Sequence, residues 1–175
     1  MDLTIRRATV DDCAAIQRVI ADSWRESYRG LLEESTVERT TDPAGFYPAK
    51  RFRQKLDDSD LRFLVALVGG DVAGVVNICW GSENTHEFVT VDGCEISSLY
   101  LAPSFWREGI GTALVEAGRD VFPPGTEESF AEVFSANERG RAFYESVGFH
   151  RFDGRTISLY GESLETDLYR RPIRT

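Results

Sequence analysis

Apolar residues recur at every second position in some segments of this chain and at every third to fourth position in others. The first pattern predicts strands and the second predicts helices. Leu3 to Ala8 predicts a first strand, and the apolar positions after it recur every three to four residues, as on one face of a helix. The segment Thr9-Val-Asp-Asp12 has the spacing of a capping box and would open that helix. Its apolar face consists of Ile16, Val19, Ile20 and Trp24.

The next part of the chain predicts surface helices followed by a hairpin. Leu31 to Asp58 is more polar and is interrupted by Thr41-Asp-Pro-Ala-Gly45, which favours short helices on the surface. Two apolar runs, Leu61 to Val68 and Val72 to Trp80, flank Gly69-Gly70-Asp71 and predict paired antiparallel strands.

Strands and helices alternate in the second half. Apolar positions from Ile110 to Val121 predict one helix, and Asn137 to Val147 predicts another that ends at Gly148. This alternation after a central hairpin predicts an α/β (α+β) mixed sheet with helices on both faces. The further strands are predicted over Cys94 to Leu101, Ser129 to Phe134, Phe149 to Phe152 and Leu164 to Arg171.

Size and cysteine content predict one domain in a reducing compartment. The 175 residues, 42% of them hydrophobic, suit a single domain over 1–175, and the longest clean apolar run, Phe63 to Val68, is far short of the ~20 residues of a membrane span. The start of the chain lacks the apolar core of a secretion signal. Three cysteines without a CxxC pair, and only two histidines, favour no disulfide framework, no metal site and a cytoplasmic location.

The charge of the chain is strongly acidic. A net charge of −9 and a pI near 4.8 disfavour a nucleic-acid partner, and no membrane partner is expected. Of the 20 basic residues only Lys50 and Lys55 are lysines, so the rest are arginines. Salt adaptation, a GC-rich genome and attraction of cationic substrates all remain open as explanations.

The segment Leu99-Tyr-Leu-Ala-Pro-Ser-Phe-Trp-Arg-Glu-Gly-Ile-Gly-Thr-Ala-Leu114 predicts a strand that runs through a turn into a helix. Gly109 and Gly111 would let the backbone approach a ligand, and a helix start offers unpaired N–H groups to a pyrophosphate. A purely structural turn is the alternative. Neither a Walker loop nor a Rossmann fingerprint fits, since Thr112 stands where Lys is needed and Leu114 where the third Gly is needed.

A second motif lies on the next helix, Asn137-Glu-Arg-Gly-Arg-Ala-Phe-Tyr-Glu-Ser-Val-Gly-Phe149. Together with Gly109-Ile-Gly-Thr-Ala-Leu114 it resembles the GNAT superfamily of acyl-CoA-dependent N-acetyltransferases. The resemblance runs from Ile5 to Pro172. It implies a GNAT-like fold in which the fourth and fifth strands splay apart, with the pantetheine arm of the coenzyme lying in the opening.

The resemblance implies acetyl-CoA as co-substrate and no metal. Backbone groups of the strand end are expected to pair with pantetheine, and N–H groups of the turn to hold the pyrophosphate. Where the family's turn usually opens with Gln or Arg this chain has Trp106, so phosphate can meet only its backbone, and Arg107 could restore the charge. The expected coenzyme-binding residues are Leu99, Tyr100, Leu101, Trp106, Arg107, Glu108, Gly109, Ile110, Gly111, Thr112, Asn137, Arg139 and Arg141.

The resemblance implies two specific side-chain contacts with the coenzyme. Asn137 is expected to hydrogen-bond the pantetheine arm. Either Arg139 or Arg141 is expected near the nucleotide.

The chemistry implied by the resemblance is acetyl transfer to a primary amine by direct attack in a ternary complex. An alkyl ammonium must lose a proton before it attacks, and Glu95 is the expected base. Tyr144 is the expected acid for the departing thiolate. A coenzyme-binding sensor without catalysis, and an interaction domain without coenzyme, are the alternatives.

The acceptor is expected to be a small-molecule or peptide amine, and the enzyme could be a homodimer. By resemblance, the first helices and a loop from Gly154 to Ser163 line the acceptor cleft. Trp24, Tyr28 and Tyr160 could stack on the amine or bind its cation, although each could equally belong to the core.

Overall fold

The computed structural model describes residues 1–45 and 47–173 of the chain. Within them the chain forms five helices and seven strands. The helices are α1 (Cys13–Tyr28), α2 (Glu34–Thr41), α3 (Ala49–Leu56), α4 (Ile110–Arg119) and α5 (Glu138–Ser146). The strands are β1 (Leu3–Arg7), β2 (Leu61–Val68), β3 (Asp71–Trp80), β4 (Gly93–Leu101), β5 (Glu128–Phe134), β6 (His150–Leu159) and β7 (Glu162–Pro172).

The strands form one mixed sheet in the order β1-β2-β3-β4-β5-β7-β6. Strands β4 and β5 are parallel, and every other pairing is antiparallel. The predicted capping box is confirmed, because Thr9 N–H donates to the Asp12 carboxylate at 2.8 Å where the chain enters a short 3₁₀ turn before α1. Within the described ranges no helix is long and apolar enough to span a membrane.

Helices cover both faces of the sheet, as predicted. Strand β3 shows this most clearly, because Val76 and Ile78 pack on one face and Val75 and Cys79 on the other. We call these two cores the α4 cluster and the α1 cluster. The α4 cluster contains Ile110, Leu114 and Val115 of α4 together with Tyr144 of α5. The α1 cluster contains Ile16, Ile20, Trp24 and Tyr28 of α1 together with Phe52 of α3.

The parallel pair β4 and β5 separates part-way along its length. The two strands pair only from Gly93 opposite Glu128 to Ile96 opposite Ala131. Directly after Ile96 the β3–β4 register shifts, because Ile78 pairs with Ile96 and the neighbouring Asn77 with Ser98. This leaves Ser97 as an extra residue. Such a bulge bends a strand and increases its twist, so the expected splay of the fourth and fifth strands is confirmed at this bulge.

One prediction for the C-terminal part of the chain is wrong. The strand expected to stop at Phe152 continues to Leu159, so most of the expected loop from Gly154 to Ser163 belongs to β6 and β7. The connection is a tight turn in which Tyr160 (φ 49°) and Gly161 (φ 83°) both have positive φ, as two-residue hairpin turns require. Strand β6 lies at the edge of the sheet and is only partly buried, which explains its weak apolar pattern.

Candidate active site

The turn between β4 and α4 has the geometry of an anion cradle. Gly109 is the N-cap of α4 with φ 80°, and a Cβ placed there would meet no atom within 4 Å. The first bond of the helix runs from Ala113 N–H to the Gly109 carbonyl, so the N–H groups of the preceding three residues have no partner within the helix. No described side chain caps them. Arg107 also has a positive φ of 66°, a conformation that is rare outside glycine.

Gly111 has a packing role besides the one expected. Its α-carbon faces the core, and a Cβ there would lie 3.0 Å from a Phe143 ring carbon and 3.3 Å from Leu101 Cδ1. Glycine at this position lets α4 pack closely on α5 and β4. The role of Gly111 toward a ligand stays a prediction that rests on its unpaired N–H, and Gly109 is the glycine with an open side.

The remaining side chains of the turn divide between core and solvent. Ile110 is fully buried in the α4 cluster, so only its backbone can serve a ligand. Glu108 and Thr112 are exposed.

Trp106 links the turn to two neighbouring elements. Its Nε1–H donates to the Leu101 carbonyl at 3.0 Å, and the Arg139 guanidinium lies 4.0 Å from the centre of its ring. Arg141 instead pairs with Asp167 at 3.7 Å. Of the two arginines expected near the nucleotide, Arg139 is the one held at the turn.

The second half of β4 presents backbone groups to the gap beside β5. Ala102 N–H donates to the Ala73 carbonyl, and backbone groups of an antiparallel strand point to its two edges in alternation. The N–H and C=O groups of Leu99 and Leu101 therefore point into the gap. The Leu101 carbonyl accepts the Trp106 bond. The N–H of Leu101, and the N–H and C=O of Leu99, have no partner strand in the described part of the chain.

Tyr100 does not offer its backbone to the gap. By the same alternation its N–H and C=O face β3, where it lies opposite Val75. Its ring packs against the α1 cluster, beside Trp24. The expectation that Tyr100 pairs with pantetheine through its backbone is wrong.

An aromatic group lines the α1 side of the gap. The Trp24 and Tyr28 rings lie 4.5 Å apart, and the Phe134 ring of β5 meets each of them edge-on. Asn137 Nδ2 donates to the Tyr28 hydroxyl at 3.0 Å, while its Oδ1 accepts from Gly140 N–H and caps α5. Asn137 can donate one further hydrogen to a ligand. Trp24 and Tyr28 are 3% and 8% exposed and thus belong to the core as much as to the cleft.

Tyr160 lies away from this aromatic group. It is 41% exposed at the β6–β7 turn, with the Arg39 guanidinium 5.4 Å from its ring centre. In the same turn the Glu162 carboxylate accepts a bond from Glu33 N–H at 3.0 Å. The turn therefore docks on the segment between α1 and α2.

Tyr144 extends from α5 into the α4 cluster. Its ring meets Phe143 and Phe149 edge-on at 5.3 Å and stacks near Tyr169. Burial raises the pKa of its phenol, so the hydroxyl is protonated at neutral pH. The Tyr144 hydroxyl makes no hydrogen bond to the residues that the structure describes.

Glu95 is buried rather than solvent-facing. It is 2% exposed on β4, two residues before the bulge at Ser97, and its side chain points to the face opposite its neighbours Cys94 and Ile96. The Glu95 carboxylate is close enough to Tyr144 to raise the pKa of that phenol. Glu95 thus lies on β4 just before the two strands separate, and its charge acts on Tyr144, which packs in the α4 cluster.

Sequence reasoning missed one partner of Glu95. His86, in the β3–β4 connection, places Nδ1 2.6 Å from Glu95 Oε1. The Cys79 thiol is 3.8 Å from Oε2, and burial raises its pKa to about 12. A single histidine in a polar connection gave no signal of this contact. Among the described residues no group of His, Cys, Asp and Glu side chains could hold a metal ion.

Comparison with known proteins decides the family. A family model described as the Acetyltransferase (GNAT) family matches residues 20–149. This chain belongs to the GNAT family. The resemblance seen in the sequence is confirmed, and the GNAT chain is an acetyl-CoA-dependent N-acetyltransferase.

This GNAT enzyme is similar to several acetyltransferases that have been named. It is 25% identical over 158 residues to the spermidine N(1)-acetyltransferase of Thermoplasma acidophilum, which spans 85% of this chain and 89% of the relative. It is 32% identical over 110 residues to an N-alpha-acetyltransferase of Sulfurisphaera tokodaii, and the matched part covers 59% of this chain and 65% of that one. The crystal structure of the PaiA N-acetyltransferase of Thermoplasma acidophilum with coenzyme A superimposes with a TM-score of 0.81 at 20% identity, over 99% of this chain and 100% of that one.

Proposed function

We propose that this enzyme acetylates a primary amine by direct attack on acetyl-CoA in a ternary complex. The observation that carries the proposal is the gap between β4 and β5, which free backbone groups of Leu99 and Leu101 face and which opens on β4 just beyond Glu95. When bound, acetyl-CoA supplies a thioester carbonyl and a thiolate leaving group.

Residues of the strand and the turn would hold the coenzyme. The unpaired N–H groups of Leu99 and Leu101 suit the pantetheine arm, and that of Leu101 is placed to polarise the carbonyl. The α4 start and Gly109 suit the pyrophosphate, with Arg139 beside them.

Glu95 and Tyr144 would divide the proton transfers. Glu95 takes a proton from the acceptor ammonium, directly or through a water, so that the nitrogen lone pair is free to attack. Tyr144 donates to the sulfur as the C–S bond breaks, which suits a phenol that burial keeps protonated.

The buried cysteines do not suit a covalent route. Burial raises the pKa of both Cys79 and Cys94, and a protonated thiol is a poor nucleophile. All three cysteines are free thiols, in keeping with the cytoplasmic location that we propose.

The acceptor that we propose is a cationic alkyl amine, either a small polyamine or a peptide N-terminus. The net charge of −9 favours a cation over an anion, and the aromatic group of Trp24, Tyr28 and Phe134 lies on the α1 side of the gap. The curated relatives named for spermidine and for α-amino groups support both classes.

A thiol-release assay across an amine panel tests this proposal. The enzyme is mixed with acetyl-CoA and with spermidine, a short peptide, lysine or buffer alone, at low and at molar salt. We expect thiol release only with an amine, and no acetyl adduct on the protein by intact-mass analysis with acetyl-CoA alone. Release without any acceptor, or a stable protein adduct, would contradict direct attack. The salt series shows whether the acidic composition reflects salt adaptation.

A further inference from the structure

The side chain of His86 reaches a carboxylate that is almost completely buried. Nδ1 lies 2.6 Å from Glu95 Oε1, while the His86 side chain itself remains 51% exposed and that of Glu95 only 2%. A buried carboxylate needs hydrogen bonds or a countercharge to remain ionised. His86 is the residue that reaches Glu95 from solvent.

The His86 ring is held in place by a second set of contacts. It stacks on Phe88 with a centroid distance of 5.4 Å and an angle of 5° between the planes. The Arg155 guanidinium of β6 lies 5.1 Å from the centre of the Phe88 ring, and its Nε donates to Glu132 of β5 at 2.6 Å. The connection that carries His86 is thereby tied, through Phe88 and Arg155, to strands β5 and β6.

The groups around His86 favour its protonated form, in which Nδ1 carries a hydrogen. It faces Glu95 of β4, Glu132 of β5 and Arg155 of β6, and Glu87 adjoins it on its own segment. The hydrogen bond with Glu95, with help from both glutamates, raises the pKa of His86, against the opposing effects of burial and Arg155. With Glu95 ionised, Nδ1 must be the donor in this bond, whether the imidazole is neutral or protonated.

We propose that His86 is a positioning residue for the base, donating Nδ1–H to Glu95 Oε1 and so holding the buried carboxylate in one orientation. This rests on the proposed role of Glu95. One proton of the acceptor ammonium moves to Glu95 Oε2 and later passes to water. The amine nitrogen then forms the new N–C bond, and the C–S bond breaks as Tyr144 donates its proton to the departing sulfur. The nitrogen loses its second proton, which restores the Tyr144 phenol. His86 neither gains nor loses a proton in the step.

Two substitutions separate the hydrogen bond from the packing. His86→Phe keeps a ring to stack on Phe88 but removes the donor. His86→Asn places an N–H one atom beyond Cγ, where Nδ1 stands, but removes the ring. The measurement is the pH profile of kcat with one amine, beside a melting curve for each variant.

We expect His86→Phe to move the acidic limb of the profile upward by about one to two pH units, the worth of one hydrogen bond to a charged group. His86→Asn should move it by less than half as much. At neutral pH His86→Phe should melt below the wild type and His86→Asn between the two, because raising the folded-state pKa of a buried carboxylate lowers stability above that pKa. His150→Phe, the same change at the other histidine, is the matched control and should leave the limb in place.

The comparison with Glu95→Gln distinguishes failure of this inference from failure of the proposed function. If Glu95→Gln is slow while His86→Phe keeps the wild-type limb, Glu95 is the base and His86 does not position it. An equal shift in His86→Phe and His86→Asn would also overturn the inference, because the donor would then be irrelevant. A fully active Glu95→Gln would remove the base assignment itself.

Discussion

Replacing Tyr144 with Phe should lower kcat by roughly 10²-fold or more while the melting temperature and the affinity for acetyl-CoA barely change. The ring packs against Phe143, Phe149 and Tyr169 and is kept in the variant. The hydroxyl makes no hydrogen bond within the described residues, so its removal leaves no partner unsatisfied. What is lost is the proton donor for the thiolate.

Tyr169 provides the matched control for this measurement. Its ring stacks near that of Tyr144, but its hydroxyl donates to Glu145 at 3.1 Å. Tyr169→Phe should therefore lower stability by about 1 kcal/mol and leave kcat intact. Steady-state kinetics and melting curves on the two variants give opposite patterns if Tyr144 is the acid. An active Tyr144→Phe with a lowered melting temperature would assign Tyr144 to the core alone.

Replacing Glu95 with Gln should lower kcat by about 10² to 10⁴-fold at neutral pH. The variant keeps the shape of the side chain but cannot accept the ammonium proton. An alkyl amine with a pKa of ~10.4 supplies more free base as the pH rises. The rate of Glu95→Gln should thus climb by roughly tenfold for each pH unit toward that pKa, and the gap to wild type should narrow.

The pH profile of kcat/KM from pH 6 to 10 checks this expectation. Glu128→Gln is the control, because Glu128 begins β5 on the outside of the gap and makes only a long 3.9 Å contact with Arg170. It should behave as wild type. A Glu95→Gln variant that stays parallel to wild type across the range would show that no carboxylate base acts here.

Most of the fold could be predicted because the apolar periods are strong where elements are buried. Helix α1 and the β2–β3 hairpin carry continuous apolar patterns. The structure buries the expected apolar face of α1, and it places the strands of the hairpin within one residue of their expected bounds. Strand β6 could not be predicted at full length because an edge strand needs no apolar alternation. Its turn uses Tyr160 rather than the Asn or Gly that usually marks positive φ.

The bulge at Ser97 had a signal in the sequence. The apolar side chains of β4 that pack in the α4 cluster are Cys94 and Ile96 and then, one residue out of phase, the partly buried Leu99 and Leu101. A change of phase within one strand indicates an extra residue. The splay could thus have been placed at Ser97 from the pattern alone.

The candidate site was predictable only in part. The roles of Gly109 and Gly111 differ because one has an open side and the other faces Phe143, and a Gly-x-Gly spacing carries no information on that difference. The contact of His86 with Glu95 spans two segments that only the folded sheet brings together.

The central claim is that acetyl-CoA lies in the gap between β4 and β5, paired with the free edge of β4. Residue-resolved amide hydrogen exchange by NMR, with and without acetyl-CoA, tests it most directly. We expect the Leu99 and Leu101 amides to exchange rapidly in the free enzyme and to become protected with the ligand, together with the amides at the α4 start. The Tyr100 amide should be protected in both states. Unchanged exchange at Leu99 and Leu101 under saturating acetyl-CoA would contradict it.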